Sequence, residues 1–195
     1  MMPHGLKSAT EDRILRTFLR LVAERGIDAT TTRVLAEAAG VNEVTLFRRF
    51  GDKASLAAEA FCRFAPTDEL REYALDIDLS STERAVDDLF HVLDVLRQHM
   101  LERPEIVQFG MAEYWRLPQL KEQIAATPRA ARELVERALD AGAPLLRPRL
   151  DRRAASLSLV GLLFVSVVWS ARGWLAPDEL DWEVAAKQAI RCLLA

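Results

Sequence analysis

The sequence predicts an all-α protein of about nine helices: a three-helix head at the N-terminus, a connecting fourth helix and a larger helical body. Apolar residues recur every three or four positions over most of the 195 residues. The alternating apolar and polar runs that are typical of strands do not occur in the sequence. Glycine or proline ends the apolar segments, for example at Gly26, Gly40, Gly51 and Pro66. These observations favour helices joined by short turns.

Residues 30–50 predict two short helices joined by a tight turn. The apolar faces are formed by Val34, Leu35 and Ala38 in the first helix and by Val41, Leu46 and Phe50 in the second. Gly40 suits the positive φ that ends the first helix. Thr31 or Thr32 can cap the start of that helix, and Asn42 can cap the second. Such a pair forms a helix-turn-helix unit, whose second helix enters the major groove of DNA. An ordinary helical hairpin has the same pattern and stays open as an alternative.

The flanking segments complete a small N-terminal head. Thr10 can cap a first helix that ends at Gly26, and this helix gives the hairpin a third wall for its core. A fourth helix is predicted over residues 53–64, where Lys53 and the free N–H groups of the first turn suit a phosphate. We therefore expect a helix-turn-helix domain over residues 1–53 and a helical body over residues 54–195.

The body is predicted to hold five more helices after a linker or short irregular helix at residues 66–79. Capping residues and prolines mark their starts. The expected helices run from the capping box at residues 80–83 to Glu102, from Pro104 to about Trp115, from Thr127 to near Gly142, within residues 152–172, and over residues 181–194, with a short segment at Pro118.

The segment from Ala154 to Ala171 has 18 residues without a charge. This length meets the lower limit for a transmembrane helix, although at about 1.5 Å per residue it spans only about 27 Å. A helix that is apolar on all sides is also suited to burial in protein, and Ala154, Ser158 and Gly161 would allow another helix to approach closely. We expect residues 152–172 and 181–194 to form a four-helix bundle with a second copy of the chain. The sequence thus predicts a homodimer and no membrane partner.

Charge is distributed unevenly along the chain. Residues 1–53 carry 9 Lys and Arg and 7 Asp and Glu, a net charge of +2, whereas the remaining residues carry 17 and 22, a net charge of −5. A basic head on an acidic body is typical of local contact with nucleic acid.

Motifs for catalysis are absent from the sequence. It contains no G-x-S-x-G, no H-E-x-x-H and no glycine-rich phosphate loop, so we expect no enzyme. Asp87 and His91 are spaced to share a metal on one helix face, but no third ligand accompanies them, so no metal site and no cofactor are predicted. Cys62 and Cys192 are expected to be small buried hydrophobes. No signal peptide is apparent, and a cytoplasmic location is expected.

Residues 45–53, Thr-Leu-Phe-Arg-Arg-Phe-Gly-Asp-Lys, resemble the signature at the end of the recognition helix in the TetR (tetracycline repressor) family. Residues 31–33, 35–36 and 39–41 match the family pattern in the same register. The resemblance covers residues 14 to about 61, and beyond them only length and helical character agree. It implies a DNA-binding transcriptional regulator, with a repressor favoured, that a small apolar effector releases from a palindromic operator.

The resemblance also implies which residues contact double-stranded operator DNA. The groove-facing residues would be Arg33, Asn42, Glu43, Val44 and Thr45, and the phosphate-contacting residues would be Phe47, Arg49 and Lys53, with Arg48 as a substitute. The family usually has Tyr where this chain has Phe47, which lacks the hydroxyl for that phosphate bond. Arg33 would contact a guanine, Glu43 a cytosine amino group and Val44 a thymine methyl.

Family members couple a pocket in the body to the heads through the fourth helix. Methionine and aromatic residues concentrate between residues 90 and 115, and small-molecule sites are mostly apolar. The expected ligand-binding residues are Phe90, His91, Leu93, Leu96, Met100, Phe109, Met111, Tyr114, Trp115 and Leu163. Each of them also fits a plain helical core. A helical-bundle protein with an enzymatic or membrane-anchored role is the alternative function.

Overall fold

The computed structural model describes residues 9–176 and 178–195, so the N-terminal residues on which the signal-peptide expectation rested lie outside it. Over this part of the chain it contains ten α-helices and two short 3-10 helices, at Pro118–Leu120 and Ala143–Leu145. The α-helices are α1 (Ala9–Ala29), α2 (Thr32–Ala39), α3 (Glu43–Phe50), α4 (Lys53–Phe64), α5 (Thr67–Glu72), α6 (Thr82–Glu102), α7 (Pro104–Glu113), α8 (Lys121–Ala141), α9 (Arg152–Ala171) and α10 (Trp182–Arg191).

The all-α prediction is confirmed, and most helices lie where the sequence placed them. The six-residue α5 falls in the segment predicted as a linker or short irregular helix. The start of α8 was predicted wrongly, because this helix begins at Lys121 and continues through Pro128. Proline in a helix interior removes one backbone hydrogen bond, which is why Thr127 and Pro128 were expected to begin the helix. The Thr127 hydroxyl instead lies 2.6 Å from the hydroxyl of Thr67.

The chain divides into two compact units. Unit 1 consists of the residues up to Ala65 together with Arg103–Ala125. Within it α1 packs against α2, α4 and α7, and α3 packs against α2 and α4. Phe109 of α7 is buried, with its ring centroid 6.4 Å from that of Phe18 and 5.8 Å from that of Phe61. A helix that the sequence assigned to the body therefore shares the core of the helix-turn-helix unit.

Unit 2 consists of Pro66–Glu102 and Ala126–Ala195. Helices α6, α9 and α10 pack against one another in this unit. Leu93 of α6, Leu134 and Leu139 of α8 and Ile190 of α10 lie fully buried in one apolar core. The predicted functional division between residues 53 and 54 stays a prediction.

Helix α9 buries one face and leaves an apolar face exposed. Leu159 and Leu163 lie in the core of unit 2, whereas Leu157, Phe164 and Trp169 are exposed. By length and composition alone α9 is apolar enough to cross a membrane, with 33% of its most apolar window buried inside the protein. This is weak evidence for a span, because a core helix of a soluble protein passes the same test.

Candidate nucleic-acid interface

The helix-turn-helix of α2 and α3 forms as its capping residues predict. The Thr31 hydroxyl accepts a hydrogen bond from the Val34 N–H at 3.3 Å, and the Asn42 side chain accepts one from the Val44 N–H at 2.9 Å. Gly40 ends α2 with φ of 63° and ψ of 42°, the left-handed conformation that glycine adopts without a steric cost. The turn is therefore encoded locally.

Apolar residues on the inner faces hold the two helices to unit 1. Leu46 and Phe50 of α3 are buried, as predicted, and Val41 packs against the same core. On α2 the buried residues are Leu35, Ala36 and Ala39, whereas Ala38 is exposed, so its predicted place on the apolar face was wrong. A shift of one position around the helix accounts for the difference, because consecutive residues lie about 100° apart.

The first turn of α3 is held to the first turn of α2 by a side-chain hydrogen bond. Thr32 Oγ1 donates to Glu43 Oε2 at 2.9 Å, and both side chains are half-buried. The spacing of eleven residues across a turn gave no sequence signal for this pair, and Thr32 had been considered only as a helix cap.

The outer surface of the hairpin carries exposed cationic and apolar side chains. Val44 is 71% exposed and Phe47 is 53% exposed, although apolar side chains of this size are normally buried. Arg33 and Arg48 are exposed and form no ion pair with any residue of the described chain. The Asn42 side chain is also exposed, whereas Thr45 is half-buried. A surface of free guanidinium groups and apolar side chains suits the phosphates and base edges of DNA.

Two residues expected at phosphates have partners within unit 1. The Arg49 guanidinium forms an ion pair with Glu11 of α1. The Lys53 ammonium is half-buried and donates to the Ile27 carbonyl at 2.7 Å and to the Thr30 carbonyl at 3.4 Å. In this structure both cations therefore bind α1 or the turn that follows it.

Asp52 caps the helix that Lys53 begins. Its carboxylate accepts a hydrogen bond from the Ser55 N–H at 2.7 Å. This bond, together with weaker interactions with the Ser55 side chain and the Ala54 N–H, lowers the pKa of Asp52 below 3.8. The ionised carboxylate at the helix N-terminus stabilises the start of α4.

A family model described as "Bacterial regulatory proteins, tetR family" matches residues 14–60, which include α2, α3 and most of α1 and α4. Residues 14–60 of the chain thus match the TetR family. The proteins of this family are regulators, which agrees with the expectation of no enzyme.

One curated relative is an uncharacterized HTH-type transcriptional regulator, YvkB, from Bacillus subtilis (strain 168). It is 25% identical over 126 residues, which cover 65% of this chain and 64% of that relative. The match therefore covers less than two thirds of that relative's length.

Solved structures share the fold. NalD, the secondary repressor of the MexAB-OprM multidrug efflux pump in Pseudomonas aeruginosa, superposes with a TM-score of 0.69 at 23% identity, covering 95% of this chain and 96% of that one. The fatty acid degradation regulator FadR from Bacillus halodurans has a TM-score of 0.67 at 19% identity and covers 97% of each chain. At these identities the likeness shows a shared fold alone.

The residues expected to line a TetR-family ligand pocket lie in different places. Those of α7 and the following turn, Phe109, Met111, Tyr114 and Trp115, belong to unit 1, whereas Phe90, His91, Leu93, Leu96, Met100 and Leu163 belong to unit 2. Phe109, Leu93, Leu96 and Leu163 are core residues, and Phe90 and Met100 pack at the edge of the unit 2 core.

Three other expected pocket residues reach the surface. His91 is exposed, Met111 is 41% exposed and Trp115 is 75% exposed. The Trp115 ring meets the Tyr114 ring edge-on, with the centroids 5.0 Å apart, and the Lys121 ammonium lies 4.9 Å from the Trp115 centroid. The assignment of all ten residues to a pocket stays a prediction.

Asp87 has a partner that the metal hypothesis did not include. The Lys187 ammonium of α10 lies 2.7 Å from its carboxylate, and this contact lowers the pKa of Asp87. No cluster of three or more metal-ligating side chains occurs among the described residues. The expectation for the cysteines was wrong, because Cys62 and Cys192 are both exposed.

A buried charge in unit 1 also escaped prediction. Glu113 at the end of α7 is 1% exposed, and Arg116 lies 3.7 Å from its carboxylate while forming an ion pair with Asp28 of α1. These carboxylates raise the pKa of Arg116, with Asp28 as the larger cause. No sequence pattern predicts this ion pair, because Asp28 and Arg116 are 88 residues apart in the chain.

Proposed function

We propose that the chain is a DNA-binding transcriptional regulator that recognises double-stranded operator DNA through the outer surface of α2 and α3. The observation that most directly supports this proposal is the first turn of α3. Asn42 caps this turn, the hydrogen bond between Thr32 and Glu43 joins it to α2, and its Val44 side chain is exposed. A recognition helix contacts base edges through its N-terminal residues, so a rigid and exposed first turn is what readout requires.

The proposed groove contacts are Arg33, Asn42, Glu43, Val44 and Thr45. Arg33 is exposed without an ion-pair partner in the described chain, which leaves its guanidinium available for the bidentate contact with guanine. The exposed Val44 side chain suits a thymine methyl group.

The proposed phosphate contacts differ in how much rearrangement each requires. Arg48 is exposed and unpaired within the described chain and needs none. Arg49 has to exchange Glu11 for a phosphate, which replaces one anionic partner by another. Lys53 would give up two backbone carbonyls, so it supports the phosphate site mainly by fixing the end of α1. Phe47 contributes its ring and no hydroxyl.

The chain is proposed to act as a homodimer through α9 and α10. Around Gly161 the exposed side of α9 presents Leu157, Phe164, Val165 and Trp169, and α10 presents Val184. Apart from the backbone of α9 itself, no atom of the described residues lies within 4 Å of the place where a Cβ would stand at Gly161, so this position is open to another helix. Apolar side chains in one stripe mark an interaction surface, and a second copy would offer the same stripe. Paired heads would then contact half-sites about 34–36 Å apart, or a multiple of that distance.

The proposed effector is a small apolar molecule, and its binding would release a repressor from a palindromic operator. The apolar and aromatic character of residues 90–115 supports this class. An effector acts only when it binds the form without DNA more tightly. A difference of about 1–3 kcal/mol would weaken operator binding about 5- to 150-fold. A cytoplasmic location belongs to the same proposal.

A gel-shift experiment with duplexes from the intergenic DNA beside the gene tests this function. We expect one duplex that contains an inverted repeat to be retarded, while a duplex of the same composition in scrambled order is not. Equal retardation of both would contradict the proposal. Purification without detergent separates it from a membrane-anchored role of α9, since a transmembrane helix would require detergent.

A further inference from the structure

The hydrogen bond between Thr32 and Glu43 occupies only one of the two oxygens of the Glu43 carboxylate. Thr32 is the first residue of α2 and Glu43 is the first residue of α3. Oε2 of Glu43 accepts from the Thr32 hydroxyl at 2.9 Å, whereas Oε1 accepts no hydrogen bond from the described part of the chain. The Asn42 side-chain oxygen accepts from the Val44 N–H and caps α3, and no hydrogen bond joins Asn42 to this carboxylate within the described residues.

We propose that Thr32 is a positioning residue for base recognition: it fixes the Glu43 carboxylate so that Oε1 accepts a hydrogen bond from a base amino group in the major groove. This inference rests on the proposed function. Within the major groove, cytosine and adenine present an amino donor, whereas guanine O6 and thymine O4 are acceptors. A fixed carboxylate oxygen would bind the first pair and be repelled by the second.

The anchor matters because a free glutamate side chain is flexible. A glutamate loses rotamer freedom when it is ordered, and that cost opposes binding. With Oε2 already bound to Thr32, much of this freedom is lost before DNA arrives, so the orientation of Oε1 is selected in advance. The same bond would also join α2 to α3, and a purely structural role for it has to be separated by experiment.

Four single variants of the full-length protein provide the separation. Glu43→Ala removes both carboxylate oxygens, Thr32→Val removes the hydroxyl at nearly constant shape, and Thr32→Ser keeps a hydroxyl. Thr31→Val is the matched control, because Thr31 caps the same helix end through the Val34 N–H and forms no hydrogen bond with Glu43 in the described part of the chain. It should lower the melting temperature without changing base preference.

The probe is a pool of duplexes with two inverted half-sites whose base pairs are randomised. Bound duplexes are sequenced after selection by each protein, below the melting temperature of the least stable variant. For Glu43→Ala we expect the preference for an amino-bearing base at one half-site position to fall about 5- to 150-fold, the range of a mismatched base pair. For Thr32→Val the preference at that same position should fall about 2- to 10-fold, the range of one lost hydrogen bond. Thr32→Ser and Thr31→Val should retain it.

The outcomes distinguish this inference from the proposed function. If the unmodified protein enriches a sequence but Glu43→Ala changes no position, Glu43 reads no base and the inference is overturned while the function stands. It is also overturned if Thr32→Val leaves the Glu43-dependent position unchanged, or if Thr31→Val loosens that position equally. If the unmodified protein enriches no sequence at all, the proposed function itself fails.

Discussion

The Lys53 ammonium donates hydrogen bonds to carbonyls at the end of α1 and just after it. Its nitrogen lies 2.7 Å from the carbonyl oxygen of Ile27 and 3.4 Å from that of Thr30. Thr30 is itself buried, and its hydroxyl donates to the Gly26 carbonyl at 2.9 Å. Helix α1 ends at Ala29, so its last carbonyls need donors from outside the helix, and the Thr30 N–H reaches the Ile27 carbonyl at only 3.3 Å. Lys53 supplies one, and it joins the first residue of α4 to the segment that leads into α2.

Replacement of Lys53 by Met should destabilise unit 1. Hydrogen bonds from a charged donor contribute about 1.5–3 kcal/mol, and methionine keeps most of the side-chain volume while removing the donor. We expect the free energy of unfolding, measured with urea, to fall by about that amount. Arg48→Met is the matched control and should change it by less than about 0.5 kcal/mol, as an exposed substitution normally does. Equal stability of both variants would show that Lys53 does not hold α1.

The cap at Asp52 makes the stability of α4 depend on acid. Because the folded state lowers the pKa of this carboxylate below 3.8, its stabilising effect is present at neutral pH and is lost as the pH falls through the lowered pKa. Asp52→Asn keeps an oxygen acceptor but cannot ionise. We expect the melting temperature of the unmodified protein to exceed that of Asp52→Asn near neutral pH, and the gap to shrink below about pH 4. A gap that stays constant down to strong acid would contradict this role.

Phe109 and Trp115 should respond differently to replacement by alanine. Phe109 is buried between Phe18 and Phe61, and a large cavity in such a core costs about 3–5 kcal/mol. We expect Phe109→Ala to lower thermal stability and to weaken DNA binding with no ligand present. Trp115→Ala should leave both unchanged, because its ring is 75% exposed. Circular dichroism melts and a gel shift measure the two effects, and similar losses in both variants would refute the distinction.

The dimer proposal predicts that Gly161→Arg produces a monomer. The change places a charged, long side chain in the middle of the exposed apolar stripe of α9, where a second copy would pack. Gln98→Arg adds the same side chain to an exposed position of α6 and should leave the dimer intact. Light scattering at micromolar concentration checks both. A monomeric unmodified protein, or a dimeric Gly161→Arg variant, would contradict the proposed seam.

The features that could be predicted from the sequence are those that depend on interactions between neighbouring residues. The caps at Thr31 and Asn42 and the left-handed Gly40 depend on neighbouring residues, so the hairpin and the bounds of α4 could be predicted. Contacts between distant residues were missed, including Thr32 with Glu43 and Lys53 with Ile27. Such pairs form only when helices pack, and residue spacing along one helix does not reveal them.

The candidate ligand-binding residues also show what could not be predicted from the sequence. Composition between residues 90 and 115 identified a region rich in methionine and aromatic residues, but it did not separate core from surface. Phe109 and Trp115 lie six residues apart and differ completely in burial, because the helix ends between them and Trp115 lies beyond it. The helical repeat of apolar residues predicts burial only for residues that lie within the helix.

The most direct test of the central claim compares Arg33→Ala with the unmodified protein on two duplexes, the inverted repeat obtained by selection and a scrambled duplex, at one fixed salt concentration. If α2 and α3 read base edges, the variant should lose about 1–3 kcal/mol of binding free energy on the selected duplex, relax its preference at a single base position, and bind the scrambled duplex nearly as before. Unchanged affinity of Arg33→Ala for the selected duplex would contradict the assignment of this surface to the major groove.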